Sequence, residues 1–453
     1  MSANILSAEG KVVTGLENLL RNHLNLIEDK RLGVIANHTS VNSNGEHIID
    51  LLSKHGKVVA AFGPEHGIKG DIAAGEKIPD HVESSMKIYS VYGTFRAPTP
   101  AMLQDVDVLI YDIQDVGVKF YTYISNLFLA MGAAKRDGIP VIVLDRPNPI
   151  RADRVEGPIT TPPHHSFVGV APLPTRYGMT VGEIAKMFNN EDYLGFSLNC
   201  DLTVIEMENY SRDMWYDQTG LPWIAPSPNM PDLETATVYP GMCLFEGTNF
   251  SEGRGTPTPF LMFGAPNIDA KKWLRGVPKK YLKGVKAKTV EFTPHPIPGK
   301  DSSPKHDGAT CAGLKLVVTD RDKFKPIPLA VALLSSAQKL YPKELQTRKG
   351  LDRLWGSEDL RALLHSNIET ENVIKFASPN NELPASTIVV SPTTSPHGSS
   401  NDLKLFGTGG SSMKIALPPS LIHASNISNS IRAIFLVGPA MTTTAASSGI
   451  VPV

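Results

Sequence analysis

The chain has 453 residues, of which 41% are hydrophobic and 20% charged, so its composition is that of a globular protein large enough for two domains. Its 44 Lys and Arg residues against 45 Asp and Glu leave a net charge of -1, which argues against a dedicated nucleic-acid-binding protein. Three cysteines, Cys200, Cys243 and Cys311, lie too far apart for a disulfide scaffold or a zinc finger. We expect them to be buried, unreactive thiols.

The first twenty residues lack the basic segment and apolar run of a signal peptide. No stretch of the sequence approaches the ~18 apolar residues that a membrane span requires. We therefore expect a cytoplasmic protein that binds neither membranes nor nucleic acid. The sequence does not indicate an oligomeric state.

The first half of the chain alternates strand and helix patterns. Continuous apolar runs predict strands at 32–36, 58–62, 106–111 and 140–144, and three- and four-residue steps predict helices at 48–52 and 123–134. Apolar strands separated by helices are typical of a parallel sheet that is covered on both faces. The predicted fold class is therefore α/β, with a Rossmann-like, doubly wound parallel sheet.

The second half begins with a capping-box pattern at Thr180 and Glu183, which predicts a helix at 181–189 and a structural role for Glu183. The segment 220–266 is rich in Pro, Gly and Asn and shows little helical period, which predicts a long functional loop. A strand at 314–319 and helices at 329–339 and 357–365 predict a smaller α+β unit.

A change in composition marks the end of the predicted globular region. After Phe376 the residues Ser, Thr, Pro and Gly accumulate and charged residues become rare, which predicts a poorly ordered tail. We therefore divide the chain into a Rossmann-like catalytic domain at 1–235, a smaller α+β domain at 236–376 that closes the cleft, and a low-complexity tail at 377–453.

Polar residues follow each of the first four predicted strands. The carboxyl ends of parallel strands meet at one edge of a sheet, where open α/β sheets bind their ligands, so we predict a functional crevice there. Aromatic residues of nearby loops, Tyr121, Tyr123, Trp215 and Trp223, are expected to line it. The polar residues at this edge are Asn37, His38, Glu65, His66, Asp112, Asp115, Asp145, Arg146 and Asn148.

Common cofactor and catalytic motifs are absent from the sequence. It contains no GxGxxG after the first strand, no GxxxxGK[ST], no GxSxG and no HExxH. His38, His66 and the nearby aspartates show no recognisable metal-ligand spacing. We therefore predict no metal and no cofactor, and a metal-dependent hydrolase is kept only as an alternative.

A crevice that combines carboxylates with aromatic rings suits a carbohydrate. Sugar rings stack on aromatic side chains, and glycosidic cleavage needs two carboxyl groups that flank the scissile bond. Glu65 lies between Pro64 and His66 at a strand end, where partial burial would favour the protonated carboxyl that a general acid needs. The alternative for Glu65 is a salt-bridged loop residue.

Five segments carry a resemblance to one family. They are FGPEHG at 62–67, DIQDVG at 112–117 with FYTY at 120–123, LDRPNP at 144–149, PSPNMP at 226–231 and EGTNFSEGRGT at 246–256. Together they resemble, in order, the NamZ-type exo-β-N-acetylmuramidases, formerly a family of unknown function, over about residues 11–376. The resemblance implies a Rossmann-like domain, a smaller α+β domain and an active site between them. It also implies release of N-acetylmuramic acid from the non-reducing end of peptidoglycan-derived sugars.

The resemblance also implies the site residues. Glu65 is the first catalytic carboxylate, and Asp115, Glu156, Glu246 and Glu252 lie in matching motifs as candidates for the second. Arg146 and Arg254 are candidates to bind the lactyl carboxylate of the sugar, the alternative for Arg254 being an ion pair with Glu246 or Glu252. The implied substrate-binding residues are Asn37, His38, His66, Tyr121, Tyr123, Arg146, Asn148, Asn229, Glu246, Asn249 and Arg254.

Three departures from the family pattern are present, and the first two keep a second function open. Tyr177 stands where the family pattern leads us to expect His, Leu261 stands where we expect Glu, and the segment after Phe376 does not resemble the usual ending. Altered substrate contacts at the first two positions would be compatible with a non-catalytic protein that binds muropeptides in the same cleft.

Overall fold

The computed structural model describes residues 10–70, 81–83, 86–190, 198–366 and 371–373, and two short strands further along the chain. No helix within these residues has the length and apolar character needed to cross a membrane.

A seven-stranded sheet forms the centre of the first half. Its strands are β1 (Arg31–Ala36), β2 (Lys57–Gly63), β3 (His81–Glu83), β4 (Met86–Ser90), β5 (Val108–Asp112), β6 (Val141–Leu144) and β9 (Leu202–Ile205). Their order across the sheet is β3-β4-β2-β1-β5-β6-β9. Six strands run parallel, and only β3 joins antiparallel at the edge. The predicted Rossmann-like sheet is thus confirmed.

Helices cover both faces of this sheet. Helices α1 (Gly15–Asn22) and α2 (Ile48–Leu52) pack on the face that carries Leu32, Val34 and Ile110. The opposite face, which carries Leu109 and Val143, is covered by α4 (Tyr123–Asp137) and α5 (Val181–Asn190), and the short helix α3 (Pro100–Leu103) contacts α4 there. Successive strand residues point to opposite faces, so each buried strand needs apolar residues on both sides.

The second unit is built on a three-stranded antiparallel sheet. A two-stranded hairpin, β7 (Glu156–Ile159) and β8 (Pro174–Arg176), precedes it in the chain. The sheet has the order β10-β12-β11, with β10 (Met262–Ala265), β11 (Val285–Phe292) and β12 (Cys311–Val318). The helices of this unit are α6 (Leu233–Met242), α7 (Ala270–Gly276), α8 (Pro326–Leu340), α9 (Lys349–Trp355) and α10 (Asp359–Leu364).

One hydrophobic core joins the two units. It contains Leu109 of the large sheet, Tyr239 of α6 and Leu333 of α8 in a single contiguous cluster. At the carboxyl edge of the large sheet the ring of Tyr121 contacts Tyr239 at a centroid distance of 6.0 Å, and Tyr239 contacts Phe260 at 4.7 Å. The second unit therefore packs directly against the loops that follow the strands.

The predicted elements agree with the structure in most places. The four strands and the helices in the first half are confirmed within a few residues. The capping box is confirmed because the Thr180 amide donates to Glu183 at 2.9 Å and the Glu183 amide donates to Thr180 Oγ1 at 3.2 Å. The strand and two helices predicted after residue 314 correspond to β12, α8 and α10.

The predicted long loop at 220–266 is wrong in part. Helix α6 lies within it, and eight consecutive residues of α6, from Thr235 to Met242, are buried. A helix that is buried on all sides has no polar face, so it shows no 3.6-residue period. The predicted tail after Phe376 lies outside the described residues, except for the paired strands β13 (Leu405–Phe406) and β14 (Ser412–Met413).

Candidate active site

The turn after β2 sets the direction of Glu65. His66 and Gly67, the next two residues, both adopt left-handed backbone angles, with φ of 72° and 75°. A left-handed histidine is uncommon, and strained residues of this kind cluster at functional sites. The Gly67 amide closes the turn by donating to the Pro64 carbonyl at 2.9 Å. This tight turn leaves the Glu65 side chain partly exposed at the carboxyl edge of the sheet.

Two hydroxyl-bearing side chains surround the Glu65 carboxylate. Thr122 donates from its hydroxyl to Glu65 Oε2 at 3.1 Å. Thr122 is also the N-cap residue of α4, but its side chain does not cap the helix. The phenol of Tyr92, just beyond β4, also faces Glu65; burial first, and then the charge of Glu65, raise the pKa of Tyr92. A capping residue diverted to a carboxylate indicates that this carboxylate is held in place.

Tyr121 connects Glu65 with Asp115. Burial is the largest cause that raises the pKa of Tyr121, and the charges of Asp115 and Glu65 add to it, so both carboxylates act electrostatically on this phenol. Its ring packs edge-on against Tyr123 at 4.9 Å, and the Tyr123 hydroxyl donates to the Pro226 carbonyl at 2.6 Å. The structure thus brings together Glu65, Asp115 and both tyrosines predicted to line the crevice.

Asp115 is a buried carboxylate with only one oxygen occupied. Its Oδ2 accepts hydrogen bonds from the Tyr177 hydroxyl and, at 2.8 Å, from the Gly117 amide. Its Oδ1 is buried and has no hydrogen-bond partner among the described residues. Burial raises the pKa of Asp115 to about 6, and the hydrogen bond from Tyr177 opposes this rise. Buried polar atoms are normally paired, so the open oxygen needs an explanation.

The residues after β1 line the same edge. Asn37 is fully buried, and its Oδ1 accepts from the Thr39 hydroxyl at 2.6 Å. His38 Nε2 contacts the Ala225 carbonyl at 2.7 Å and so joins this edge to the 220–232 segment. His66 is also buried, directly after Glu65.

The residues after β6 form a closed structural network. Arg146 binds both oxygens of Asp112, through Nε to Oδ1 and through Nη2 to Oδ2 at 2.8 Å, and both side chains are almost fully buried. Asp145 accepts from the Gly182 amide at 2.8 Å and the Thr180 hydroxyl at 2.9 Å, which fixes the start of α5. Asn148 donates to the Met179 carbonyl at 2.9 Å. Asp112 thus binds Nε and Nη2 of Arg146, and Nη2 also donates to the Val41 carbonyl at 3.1 Å.

Glu156 and the glutamates of the second unit are also paired. Glu156 accepts through Oε1 from Arg176 at 2.6 Å, and its buried Oε2 has no hydrogen-bond partner among the described residues. Arg254 donates through Nε and Nη2 to Glu246, at 3.1 and 2.7 Å, and lies 3.6 Å from Glu252. Lys305 contacts the second oxygen of Glu252 at 2.7 Å. This four-residue cluster reaches Glu65 through packed rings, because Arg254 lies over Phe260 at 5.2 Å and Phe260 contacts Tyr239.

Four further candidates make structural contacts. Asn229 donates to the Lys300 carbonyl at 3.0 Å, and Asn249 donates to the Glu344 carbonyl at 2.8 Å. Trp215 is buried beneath three arginines, Arg154, Arg176 and Arg321, and Trp223 packs on Tyr216 at 5.2 Å. No contact in the structure joins either tryptophan to Glu65 among the described residues.

The described residues contain no group of three or more His, Cys, Asp or Glu side chains placed to hold a metal ion. The three cysteines are buried, as predicted, and burial raises the pKa of each thiol, to about 11 for Cys200 and Cys311.

Sequence patterns did not point to Tyr92 or Thr122. Strand β4, which places Tyr92, is an edge-side strand with a mixed burial pattern and gave no apolar run. Thr122 lies within the FYTY segment, but a threonine before a helix is normally a cap. The signal that would have found Tyr92 is its position just after a strand of the parallel sheet.

Comparison with known proteins decides the family. The N-terminal and C-terminal profiles of the exo-β-N-acetylmuramidase NamZ match residues 32–234 and 237–382. The chain belongs to the NamZ family. It is 41% identical over 379 residues to the peptidoglycan β-N-acetylmuramidase NamZ of Bacillus subtilis, which covers 82% of this chain and 89% of that protein.

Two crystal structures of DUF1343 family proteins from Bacteroides fragilis share the NamZ-family fold of this chain. The first is 33% identical, with a TM-score of 0.73, and covers 81% of this chain and 94% of its own. The second is 30% identical, with a TM-score of 0.66, and covers 82% of this chain and 96% of its own.

Proposed function

We propose that this chain is an exo-acting glycoside hydrolase that releases N-acetylmuramic acid from the non-reducing end of peptidoglycan-derived sugars. Membership of the NamZ family and the 41% identity to a peptidoglycan β-N-acetylmuramidase support the activity and the substrate class. One observation supports the assignment of particular residues. The carboxylate of Glu65 is partly exposed at the carboxyl edge of the sheet and lies among hydroxyl groups.

Glu65 is the residue that we assign as the general acid. A general acid must reach the leaving oxygen, so it needs a solvent-facing position and a fixed orientation. The turn at His66 and Gly67 supplies the position, and Thr122 supplies the orientation.

Asp115 is the strongest candidate for the second carboxyl group. Glu156 is paired with Arg176, and Glu252 is paired with Lys305 and Arg254. Asp115 acts electrostatically on the same tyrosine as Glu65 and has no cationic partner among the described residues. An unpaired oxygen alone does not distinguish it, because Glu156 Oε2 is also without a hydrogen-bond partner there. A carboxylate that is already bound by two cations has little capacity left for a substrate.

The lactyl carboxylate distinguishes muramic acid from N-acetylglucosamine. Arg254 is our candidate to bind it, since its guanidinium is partly exposed whereas that of Arg146 is buried against Asp112. A ligand carboxylate would have to share Arg254 with Glu246. If it does, Arg254→Gln should raise KM for a nitrophenyl β-N-acetylmuramide and leave hydrolysis of the matching glucosaminide, if any, unchanged. Equal effects on both substrates would remove Arg254 from the recognition of the lactyl group.

Replacement of Glu65 by Gln tests the proposed acid. The amide keeps the shape of the side chain but cannot transfer a proton, so turnover of a disaccharide should fall about 10²–10⁴-fold. A nitrophenyl glycoside, whose leaving group needs little protonation, should lose much less. Equal losses on both substrates would make Glu65 the nucleophile or base, and full activity on both would remove it from the chemistry. Substrate binding by an inactive wild-type protein would instead support a non-catalytic muropeptide-binding protein.

A further inference from the structure

Lys119 is a fully buried lysine four residues after Asp115 and three before Thr122. Its ammonium group donates to the Pro158 carbonyl at 3.2 Å and to the Trp355 carbonyl at 2.7 Å. No carboxylate pairs with it among the described residues. A buried lysine without a counter-ion is costly, and burial lowers its pKa to about 7. The fold must therefore gain something by keeping it.

The two carbonyls belong to different parts of the molecule. Pro158 lies in the β7–β8 hairpin, and Trp355 is the last residue of α9 in the second unit. The carboxyl end of a helix attracts a cation because its last carbonyls carry partial negative charge. Lys119 thus ties the segment 115–122, the hairpin and the second unit together at one point.

The backbone around the ammonium group leaves space for it that a side chain at Gly356 would fill. Gly356 follows α9 with a left-handed φ of 97°, and a Cβ at this position would lie 2.6 Å from Lys119 Nζ and 2.8 Å from Thr160 Cα. The Gly356 carbonyl accepts from the Thr161 amide at 2.8 Å and the Thr161 hydroxyl at 2.9 Å, which draws the hairpin onto α9. The Lys119 amide donates to the Thr175 carbonyl at 3.0 Å. Backbone and side chain of Lys119 both hold the segment.

We propose that Lys119 is a positioning residue, which fixes the segment 115–122 against the hairpin and the second unit and so places Asp115, Tyr121 and Thr122 around Glu65. Lys119 has no contact with Glu65 itself among the described residues, so it acts through these three side chains. The expected effect on kcat rests on the proposed function. The structural role of Lys119 in holding the segment 115–122 does not depend on any activity.

Two substitutions separate this role from ordinary stabilisation. Lys119→Met keeps the length of the side chain and removes its donors, whereas Lys119→Arg keeps a cation with several donors. The matched control is Arg321→Met, because Arg321 also joins the two units, through Asp217 at 2.8 and 2.9 Å, but far along the chain from 115–122.

Hydrogen exchange of the wild type and the three variants tests the inference without a substrate. Lys119→Met should speed the exchange of amides in 115–122 and leave β1 and β5 protected. Arg321→Met should not affect 115–122, and Lys119→Arg should restore part of the protection. Unchanged exchange at 115–122 in Lys119→Met would overturn the inference, whether or not the protein hydrolyses any sugar.

The kinetic arm uses a disaccharide and a nitrophenyl β-N-acetylmuramide. Small displacements of catalytic groups can cost about 10²-fold, so kcat of Lys119→Met on the disaccharide should fall about 10- to 10²-fold, with KM changed little. The loss should be smaller on the nitrophenyl substrate, and Arg321→Met should retain wild-type kcat. Wild-type kcat in Lys119→Met on both substrates would contradict the positioning role. An inactive wild-type protein would contradict the proposed function, and the exchange experiment would still decide the inference.

Discussion

Two buried carboxylates at the same edge of the sheet have opposite surroundings. Asp112, at the end of β5, has both oxygens bound by Arg146. Asp115, three residues later, has one oxygen bound by Tyr177 and Gly117 and the other unpaired among the described residues. A polar network that is complete stabilises a fold, whereas a buried oxygen without a partner needs an explanation. Next to Glu65 we interpret that oxygen of Asp115 as a position for a ligand or a proton. Within the single motif DIQDVG, we therefore assign a structural role to Asp112 and a catalytic role to Asp115.

The largest effect is expected where the complete network is broken. Arg146→Met leaves Asp112 buried without its counter-ion, which should lower the free energy of unfolding by about 3–5 kcal/mol. Urea unfolding measures this loss. The double variant Arg146→Met with Asp112→Leu should recover most of it, because no charge is then buried unpaired. Equal instability of the single and double variants would show that the ion pair is not what the scaffold depends on.

Asp115, the carboxylate with an unpaired oxygen, should show the opposite effect on stability. Removal of its charge should stabilise the folded protein, whereas removal of Arg146 destabilises it. The pKa of Asp115 is raised by burial to about 6, above the ~3.9 of an unfolded aspartate, so its contribution to stability is complete below pH ~4 and is lost as the pH rises through about 6. Asp115→Asn cannot ionise, and its Oδ1 can still accept from Tyr177 and Gly117. Relative to the difference between the two proteins at pH 4, Asp115→Asn should therefore gain on the order of 2–3 kcal/mol over the wild type by pH 7, while turnover falls.

Unfolding curves of Asp115→Asn and wild type between pH 4 and pH 8 check this expectation. The gap between the two proteins should open between about pH 4 and pH 6 and then stay constant. A gap that does not change with pH would mean that folding leaves the pKa of Asp115 at its unfolded value, and a gap that still widens well above pH 6 would mean that Asp115 stays protonated in the folded protein.

The hydroxyl of Thr122 contacts the proposed catalytic carboxylate of Glu65. Thr122→Val keeps the shape of the side chain and removes the hydrogen bond to Glu65. Because hydrogen bonds to charged groups are worth ~1.5–3 kcal/mol, kcat on a disaccharide should fall about 10-fold or more. Thermal melting should change little because Thr122 does not cap α4. Thr122→Ser, which keeps a hydroxyl, serves as the control and should retain most of the activity.

Lys119, which joins the segment 115–122 to the second unit, should make stability depend on pH in the direction opposite to Asp115. The pKa of Lys119 is lowered by burial to about 7, below the ~10.4 of an unfolded lysine, so between these values the unfolded chain holds a proton that the folded chain has lost. Stability of the wild type should therefore rise from pH 7 towards pH 9, by about 2 kcal/mol. Lys119→Met should lack this rise. A parallel rise in both proteins would assign it to other groups.

The sequence predicted the parts of this architecture that depend on local pattern. Apolar runs located the strands, and the polar residues after them located Glu65 and Asp115, because parallel strands end at one edge. Helix α6 escaped detection because burial on every side removes its period. The pairing of Arg146 with Asp112 and of Arg254 with Glu246 could not be read from the chain, since it depends on distances between loops. The boundaries of the two domains and the cytoplasmic location stay predictions.

The direction of cleavage tests the central proposal most directly. The wild-type protein is incubated with two oligosaccharides, and the products are identified by mass spectrometry. The first oligosaccharide has N-acetylmuramic acid at its non-reducing end. In the second, an N-acetylglucosamine precedes that residue. We expect free N-acetylmuramic acid from the first and no product from the second, with Glu65→Gln releasing far less from the first. Cleavage inside the capped oligosaccharide, or no release of N-acetylmuramic acid from the uncapped one, would contradict an exo-acting muramidase centred on Glu65.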